Sequence, residues 1–415
     1  MTVLVAGGGI AGLSLALTCH EIGVDVQVFD AVRELKPLGV GINLQPNAVK
    51  ELYQLGLESD LREIGIEAEE WALFFYGAHE IWTESRGTLA GYNWPQFSVH
   101  RGAFQMRLLA HVQDRLGAQA VVPDARLTHY EHSGNGVTAH FARHDGSAFS
   151  VDGAMLVGAD GIHSQVRAQM HPQQPPVNWN GAIMWRGVSR AKPPRTKNSF
   201  VMVGGLSQRF ICYPVEPLDA TGATLLNWIA ELRPQGVEVD QSDWNQAASA
   251  DAFMPEFMDW DFGWLNVPEI VSGALGIWEY PMVDRDPLNT WLDGCVGLVG
   301  DAAHAMFPHG SGGASQGIVD TRVLGACVQE HGVNQAALQA YESRSLASVN
   351  QLVMRNRGEG PLGVLFDIEA NIAAGQEITQ AIDREAVAGF MADYKEAAGT
   401  ARDRLNASAP IITPG

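Results

Sequence analysis

The chain has 415 residues and a formal net charge of −20 at neutral pH. This length exceeds the size at which one hydrophobic core usually stops growing, so it predicts two domains. The negative charge repels phosphate backbones and anionic lipids, which argues against a nucleic-acid or membrane-surface partner. The hydrophobic and charged fractions, 46% and 18%, are those of a globular protein and exclude a disordered or fibrous chain.

The cysteines and the N-terminus indicate the compartment. Cys19, Cys212, Cys295 and Cys327 are widely separated and show neither a CxxC pair nor metal-ligand spacing. We therefore expect buried thiols, no metal site and a cytoplasmic location. The apolar N-terminus lacks the basic leader of a signal peptide, and no run reaches the roughly 20 apolar residues of a membrane span.

The first segment of the chain predicts the order strand, turn, helix, strand. Residues 2–6 are continuously apolar, and apolar residues then recur at helical spacing from 10 to 22. Residues 24–30 alternate between apolar and polar and end on an acid, Asp30. This is the pattern of a βαβ unit, in which the first strand is buried in a parallel sheet.

A Gly7-x-Gly9-x-x-Gly12 motif stands between that strand and that helix. Gly9 lets the backbone approach a pyrophosphate at the helix N-terminus, and Gly12 allows the helix to pack closely on the strand. Asp30 stands where an acid accepts hydrogen bonds from ribose hydroxyls. The combination predicts dinucleotide binding.

The remainder of the chain predicts an α/β (α+β) fold whose Rossmann-like domain is interrupted. From 171 to 275 the sequence has Pro-rich joints, tryptophans and β-type runs, whereas 294–300 returns to a buried strand. We expect residues 335–358 and 367–405 to be helical and the C-terminus to be a loose tail. The predicted division is an FAD-binding domain of residues 1–75, 98–170 and 276–345, a mainly β substrate-binding domain of residues 76–97 and 171–275, and C-terminal helices and tail at 346–415.

Two further motifs place an acid at the end of an apolar strand. Residues 157–167 read VGADGIHSQVR and contain Asp160. Residues 300–308 read GDAAHAMFP, contain Asp301 and precede a glycine-rich loop at 310–317. Open α/β sheets bind ligands at the carboxyl ends of their strands, so both acids are candidates for ligand contact.

Together, GGGIAG, GADGIHSQVR and GDAAHAMFP resemble the single-component, FAD-dependent aromatic hydroxylases of the p-hydroxybenzoate hydroxylase type, as far as about residue 345. Segments 37–49, 93–102, 184–188 and 280–288 look most like the phenazine-modifying branch, the 5-methylphenazine-1-carboxylate 1-monooxygenases. Salicylate, 3-hydroxybenzoate and 6-hydroxynicotinate hydroxylases are less similar.

The resemblance implies an oxidoreductase that binds FAD, takes a hydride from NAD(P)H and activates O2. It would hydroxylate a small aromatic or N-heteroaromatic substrate, phenolic or carboxylated, through a flavin C4a-hydroperoxide. The sequence leaves open the identity of the ring, decarboxylation, the choice between NADH and NADPH, and the oligomeric state, a homodimer included. Two alternatives remain: an FAD oxidoreductase of the same fold that does not activate oxygen, such as a geranylgeranyl reductase, and a flavin-binding protein without turnover.

The resemblance also implies roles for individual residues. Pyrophosphate would lie at Gly9 and Gly12, the adenosine ribose at Asp30 and the ribitol chain at Asp301. Arg101 would contact FAD, Asp160 would help to position both FAD and NAD(P)H, and Pro308 with the loop 310–315 would line the flavin ring. The implied cofactor-binding residues are Gly9, Ile10, Ala11, Gly12, Asp30, Arg101, Asp160, Asp301, Gly312, Gly313, Ala314 and Ser315.

His309, Tyr213 and Pro308 are the candidates for the catalytic region. An imidazole at His309 titrates near neutral pH and could act on the substrate as acid or base, or it could simply be a hydrogen-bonded loop residue. Tyr213 could direct its phenol at the substrate or pack within a sheet.

For other polar and aromatic residues, a structural role explains the residue as well as or better than a role in the active site. His304 reads as a structural part of its motif and Arg186 as a salt-bridged sheet residue, while Trp185, Trp228 and Trp278 suit either a flat substrate or a core. The chain departs from many relatives in two places: residues 310–313 replace a Gly-Gln-Gly run, and His309 stands where the phenazine-modifying branch more often has an apolar residue.

Overall fold

The computed structural model describes residues 1–134, 136–234 and 246–413. Residues 235–245 of the predicted β domain and the last two residues of the predicted tail lie outside this part of the chain. Within it, no helix is both long and apolar enough to cross a bilayer.

A six-stranded sheet contains the predicted βαβ unit. Its strands are parallel except for the outermost pair, and three neighbouring strands, at 155–158, 3–6 and 26–29, run side by side in register. The Rossmann-like α/β prediction is thus confirmed. In spatial order the strands are Leu292–Asp293, Val296–Leu298, Met155–Gly158, Val3–Ala6, Val26–Phe29 and Val121–Val122.

An eight-stranded sheet forms the second layer and is antiparallel except for one pair. Glu70–Phe75 pairs in parallel with Ser199–Gly204, and Ala274–Asp284 pairs with Asn178–Ala191. The predicted boundaries at 75 and 276 assign Glu70–Phe75 and most of Ala274–Asp284 to the FAD-binding domain, whereas backbone pairing places both strands in the large sheet. In spatial order its strands are Gln246–Ala247, Ala274–Asp284, Asn178–Ala191, Thr224–Leu232, Gln208–Pro214, Ser199–Gly204, Glu70–Phe75 and His79–Ser85.

Two small sheets complete the β-structure of the described residues. One lies on the outside of the nucleotide-binding unit, and the other joins that unit to the large sheet. The first consists of Ala148–Gly153, Gly136–Ala142 and Arg126–Ser133, and the second of Gly41–Leu44, Phe97–His100 and Gly65–Glu67.

The helices pack on the parallel sheet and, late in the chain, on one face of the large sheet. Ile10–Glu21 packs against Gly313–His331, which places the helices that follow two glycine motifs side by side. The α-helices are Ile10–Glu21, Pro46–Gln54, Glu58–Ile64, Arg101–Leu116, Gln165–Met170, Val267–Ser272, Asp301–His304, Gly313–His331, Gln335–Arg357, Val364–Ala373, Ile378–Ala381, Arg384–Ala397 and Arg402–Ala407.

The end of the chain is not a loose tail as far as residue 413. Ile412 is only 2% exposed. The ammonium group of Lys50 donates hydrogen bonds to the carbonyl oxygens of Ser408, at 3.0 Å, and Ala409, at 2.5 Å. The prediction failed because the partners of this segment are distant in sequence: its backbone contacts Lys50 and Glu51, and the side chain of Ile412 lies beside Gly325.

The cysteine prediction is largely correct in this structure. Cys19, Cys212 and Cys327 are buried, whereas Cys295 is half-buried. Burial raises the pKa of Cys19 to about 12, so this thiol stays protonated and unreactive at neutral pH.

Candidate active site

One cavity of about 430 Å³ runs between the nucleotide-binding unit, the large sheet and the C-terminal helices. Its volume lies in the range of roughly 300–1,000 Å³ that is usual for small-molecule sites. It brings together twelve of the predicted site residues. These are Gly9, Ile10, Ala11, Arg101, Tyr213, Asp301, Pro308, His309, Gly312, Gly313, Ala314 and Ser315.

Two helix N-termini open into this cavity. Ile10–Glu21 starts after Gly9, and Gly313–His331 starts after Gly312; neither has a side-chain cap or an acid in its first turn. Their first backbone N–H groups therefore remain available to an anion or a polar ring edge. A Cβ added at Gly9 would meet no protein atom within 4 Å, so this glycine leaves space for a ligand.

The other motif glycines serve packing within the protein. A Cβ on Gly12 would lie 1.9 Å from the carbonyl oxygen of Gly7, so the helix can approach the turn only without a side chain. Gly7 itself has φ +109°, a conformation that favours glycine. The motif therefore divides into one position that faces the cavity and two that let helix and strands meet.

Asp30 does not line the cavity in this arrangement. Its carboxylate accepts hydrogen bonds from the backbone N–H of Gly8 at 2.6 Å and of Val32 at 2.9 Å. The acid thus holds the glycine turn against the end of the second strand. A contact between Asp30 and a ribose stays a prediction.

Asp160 is also outside the cavity lining, although its neighbours Ala159 and Gly161 contribute to it. Its carboxylate accepts hydrogen bonds from Ser164 Oγ at 2.5 Å and from the backbone N–H of Gln165 at 2.7 Å. Burial raises the pKa of Asp160 even though these donors favour its charged form. The side chain organises the start of a helix, and its contact with FAD or NAD(P)H stays a prediction.

Arg167 connects the second and third motifs. This side chain is buried, and its guanidinium donates to the carbonyl oxygens of Ala303 and Asp286, both at 2.8 Å. The position of Asp301 is thereby tied to the helix that Asp160 caps. Asp301 stays exposed at the cavity wall, where one carboxylate oxygen would lie 4.0 Å from a Cβ on Gly313.

His304 has the structural role expected of it. Its Nε2 contacts the carboxylate of Asp320, and both side chains are fully buried. Burial alone would lower the pKa of His304, but Asp320 outweighs it and the pKa is raised. Asp320 also accepts a 2.9 Å hydrogen bond from the backbone N–H of Gly300, so this ion pair fixes the start of the third motif.

Arg101 and Ser315 both line the cavity. The aliphatic part of Arg101 packs near Gly39, and a Cβ there would lie 3.5 Å from Arg101 Cδ. The hydroxyl of Ser315 accepts a 2.9 Å hydrogen bond from the backbone N–H of Gln45. This bond ties the start of the helix Gly313–His331 to the residue that follows the strand Gly41–Leu44, and both bonded residues line the cavity.

The large sheet supplies an apolar chamber next to Pro308. The chamber is lined by Met184, Phe200, Met202, Ile211, Ile229 and Met282. Its polar groups are few, and the surfaces of these side chains suit a flat, apolar ring.

Tyr213 and Arg186 form a polar pair on this chamber. Burial raises the pKa of Tyr213 to about 12, so the phenol stays protonated, and it hydrogen bonds with the guanidinium of Arg186. Arg186 also donates to the carbonyl oxygen of Gly41 at 3.1 Å. The expectation of a salt bridge at Arg186 is wrong for the described residues, because no carboxylate lies within 4.0 Å of it.

His309 lines the cavity, but its ring nitrogens face protein oxygens. Nδ1 lies 3.0 Å from the carbonyl oxygen of Asn356, and Nε2 lies 3.3 Å from a carboxylate oxygen of Glu359. Burial and the nearby Arg209 guanidinium lower the pKa of His309. Because neither nitrogen is directed to the chamber, the geometry favours the alternative of a loop histidine over that of a substrate-contacting acid or base.

A buried charged network lies behind His309. Arg209 pairs with Glu231 and, at 2.7 Å, with Glu359, which also pairs with Arg233. Burial would raise the pKa of Glu359, but Arg209 and its other neighbours lower it. Glu231 contributes to the cavity wall, so this network fixes the sheet and the loop relative to each other.

The tryptophans singled out in the sequence form no box around the chamber. Trp185 stacks on Phe253 with ring centroids 5.1 Å apart, and Trp228 is buried in the same cluster. A Cβ on Gly276 would lie 2.5 Å from the indole of Trp278. None of the three is among the residues that line the cavity.

The C-terminal helices provide a wall of the cavity that was not predicted from the sequence. Val387, Met391 and Tyr394 are the buried face of Arg384–Ala397, and Met391, Tyr394 and Lys395 reach the cavity. The spacing of four and three residues predicts a buried helix face. It does not predict what that face covers.

The chain matches the family model described as FAD binding domain over residues 1–356. It is 38% identical to a phenazine 1,6-dicarboxylic acid hydroxylase of Lysobacter antibioticus, over 86% of this chain and 89% of the relative. It is 28% identical to an aurachin C monooxygenase/isomerase of Stigmatella aurantiaca, over 88% of this chain and 90% of the relative.

The fold also resembles that of solved structures. Klebsiella pneumoniae HpxO, crystallised with FAD and uric acid, superposes with a TM-score of 0.75 over 98% of this chain and 96% of that one. The sequence identity is 23%, so this likeness concerns the fold.

Proposed function

This chain belongs to the FAD binding domain family, and from that premise we propose that it is an NAD(P)H-dependent monooxygenase that hydroxylates a flat N-heteroaromatic compound. The observation that carries the proposal is the continuity of the cavity. The helix N-termini at Gly9 and Gly312, suited to a dinucleotide, open into the same space as the apolar chamber on the large sheet. A ring bound in that chamber would lie beside the loop that begins at Pro308.

The residues present fit FAD. Gly9 offers open space and free N–H groups for the pyrophosphate, and Arg101 adds a positive charge. We propose that Asp301 accepts from the ribitol hydroxyls and that the helix start at Gly312 and Gly313 faces the polar edge of the flavin. The chemistry that bound FAD would supply is to accept a hydride from NAD(P)H and to activate O2.

The protein's own contribution is to hold the ring and to exclude water. The apolar side chains of the chamber favour a flat ring, and the chamber has few polar groups that could hold water by hydrogen bonds. A ring held against the loop at Pro308 stays oriented for reaction at one carbon, which is the main advantage that positioning confers.

We propose that Tyr213 contacts a polar atom of the substrate ring. Its phenol stays protonated, so it donates a hydrogen bond to a phenolate oxygen or ring nitrogen, and Arg186 supports that negative charge. His309 we assign to positioning the loop, because its Nδ1 lies 3.0 Å from the carbonyl oxygen of Asn356 and its Nε2 lies 3.3 Å from the Glu359 carboxylate.

Turnover with a panel of aromatic compounds tests the proposal. The purified protein should be yellow and should oxidise NAD(P)H faster with phenazine carboxylates or hydroxylated pyridine carboxylates than without them. Consumption of O2 and a product heavier by one oxygen atom distinguish a hydroxylase from a reductase of the same fold. A bound flavin that no ring compound stimulates would indicate a protein without this turnover.

A further inference from the structure

A group of charged side chains forms a separate part of the cavity wall. Trp71 and Glu84 are direct partners in the antiparallel pair of Glu70–Phe75 and His79–Ser85. Arg86 follows the second strand, and Lys395 approaches from the helix Arg384–Ala397. All four side chains belong to residues that line the same cavity as Tyr213 and Pro308.

These side chains carry an excess of one positive charge. Glu84 lies between the two cations: Oε1 is 3.1 Å from the Arg86 guanidinium, and Oε2 is 2.7 Å from Lys395 Nζ. Burial would raise the pKa of Glu84, but Arg86 and Lys395 lower it overall, so the carboxylate stays ionised. Among the described residues no second carboxylate lies within 4.0 Å of either cation.

The Arg86 side chain is 20% exposed, and it contacts Glu84 through a terminal guanidinium nitrogen at 3.1 Å. Its Nε is buried and has no hydrogen-bond partner among the described residues. Its guanidinium lies over the Trp71 ring at 4.9 Å from the centroid, an arrangement that fixes the plane of the group. A planar, oriented guanidinium beside an aromatic surface matches a carboxylate carried by a flat ring.

We propose that Arg86 and Lys395 form an anion subsite that binds a carboxylate substituent of the aromatic substrate, with Trp71 contacting the ring. The inference rests on the proposed function, since it assumes that the chamber holds the substrate. It makes Arg86 a specificity-determining residue for ring compounds that carry a carboxylate. The substrate carboxylate would make a bidentate contact with the Arg86 guanidinium, which Glu84 only partly neutralises.

Ligand binding to the FAD-loaded protein tests the subsite without turnover. Phenazine-1-carboxylate and unsubstituted phenazine are titrated separately, and the change in flavin absorbance gives each Kd. In Arg86→Gln we expect the Kd for the carboxylate to rise about tenfold or more, as for loss of a charge-assisted hydrogen-bonded pair. The Kd for phenazine should stay unchanged, and Arg86→Lys should lie between the wild type and Arg86→Gln for the carboxylate.

Two controls separate a direct contact from a structural effect. Arg190→Gln removes an exposed arginine that pairs with Glu216 outside the cavity, and it should change neither Kd. Lys395→Met removes the second cation from a different element and should also weaken only the carboxylate. This variant decides the question if Arg86→Gln does not fold.

Equal weakening of both compounds, or of neither, would overturn the subsite. So would a changed preference between NADPH and NADH in Arg86→Gln with unchanged carboxylate affinity, because the anion would then be a coenzyme phosphate. A wild-type protein that binds the carboxylate through Arg86 but hydroxylates no ring compound would contradict the proposed function and leave the subsite standing.

Discussion

The hydroxyl of Tyr394 donates a 2.9 Å hydrogen bond to Oδ1 of Asn356, the residue whose carbonyl oxygen faces His309. The same hydroxyl lies against the glycine-rich loop, since a Cβ on Gly310 would be 1.6 Å from it. A helix near the end of the chain therefore fixes the loop that follows Pro308. The geometry of the proposed reaction site depends on residues that no motif contains.

Replacing Gly310 by alanine tests this contact. The added methyl would displace Tyr394 and the loop, and overpacking of this kind typically costs about 1–3 kcal/mol. We expect Gly310→Ala to lower the melting temperature. We also expect less product per NAD(P)H oxidised, and the release of hydrogen peroxide measures this loss of coupling.

The matched control is Gly389→Ala in the same helix as Tyr394. A Cβ at Gly389 meets no atom within 4 Å, so alanine should leave coupling unchanged and stabilise the helix slightly. Equal behaviour of the two variants would show that Tyr394 does not constrain the loop.

Two glycines of the first motif should respond differently to alanine. Gly9→Ala adds a methyl group in open space, so the apoprotein should keep its melting temperature while its affinity for FAD falls. Gly12→Ala places a Cβ 1.9 Å from the Gly7 carbonyl oxygen and should destabilise the apoprotein itself. Thermal unfolding with and without added FAD measures both effects. Full FAD binding by Gly9→Ala would place the pyrophosphate elsewhere.

Tyr213→Phe and His309→Gln distinguish the two candidate side chains. If the Tyr213 phenol donates to the substrate, its loss should lower the hydroxylation rate on the order of 10²-fold, the low end for a positioned proton donor, with FAD content unchanged. His309→Gln should keep the rate near that of the wild type and mainly lower the product formed per NAD(P)H. Rapid-reaction measurement of product formation compares them. A large loss of rate in His309→Gln with little loss in Tyr213→Phe would assign the acid–base role to His309 instead.

Alkaline pH should weaken the His304–Asp320 pair. The pKa of His304 is raised in the folded protein, so its contribution to stability is complete below the ordinary histidine pKa of about 6.5 and is lost as pH rises through the raised value. We expect the difference in melting temperature between the wild type and His304→Gln to be largest near pH 6 and to shrink towards pH 9. A difference that is constant with pH would indicate that the pair does not titrate.

Chelators should leave hydroxylation unchanged. In the described part of the chain, one group of side chains, His129, Glu131 and His140, brings three potential metal-ligand atoms within 4.8 Å of one another. It lies on the outer three-stranded sheet and not in the cavity. Assays with and without EDTA check this, and a loss of activity that added metal restores would contradict it.

The sequence predicted the parts of the site that are built locally. Gly9 faces the cavity because strand, turn and helix follow one another within a few residues, and a short pattern determines their geometry. Asp301 and Pro308 were placed for the same reason. Tyr213 was a candidate from the sequence, but its hydrogen bond with Arg186 was not predicted, and neither was the contact of Arg186 with the distant Gly41 carbonyl oxygen.

The parts that escaped prediction all depend on long-range pairing. Arg86 and Lys395 meet across more than three hundred residues, as their shared contact with Glu84 shows. The strand Glu70–Phe75 joins the large sheet only because Ser199–Gly204 offers it an edge. Local periodicity identifies such elements but holds no information about their partners.

The residues that line the cavity range in sequence from Gly9 to Thr400. During synthesis the nucleotide-binding turn leaves the ribosome well before the helix that carries Tyr394 and Lys395. The nascent protein would thus expose an unfinished, apolar chamber until that helix has emerged and packed. During that interval, a chaperone or early binding of the cofactor would be most important for covering this apolar surface.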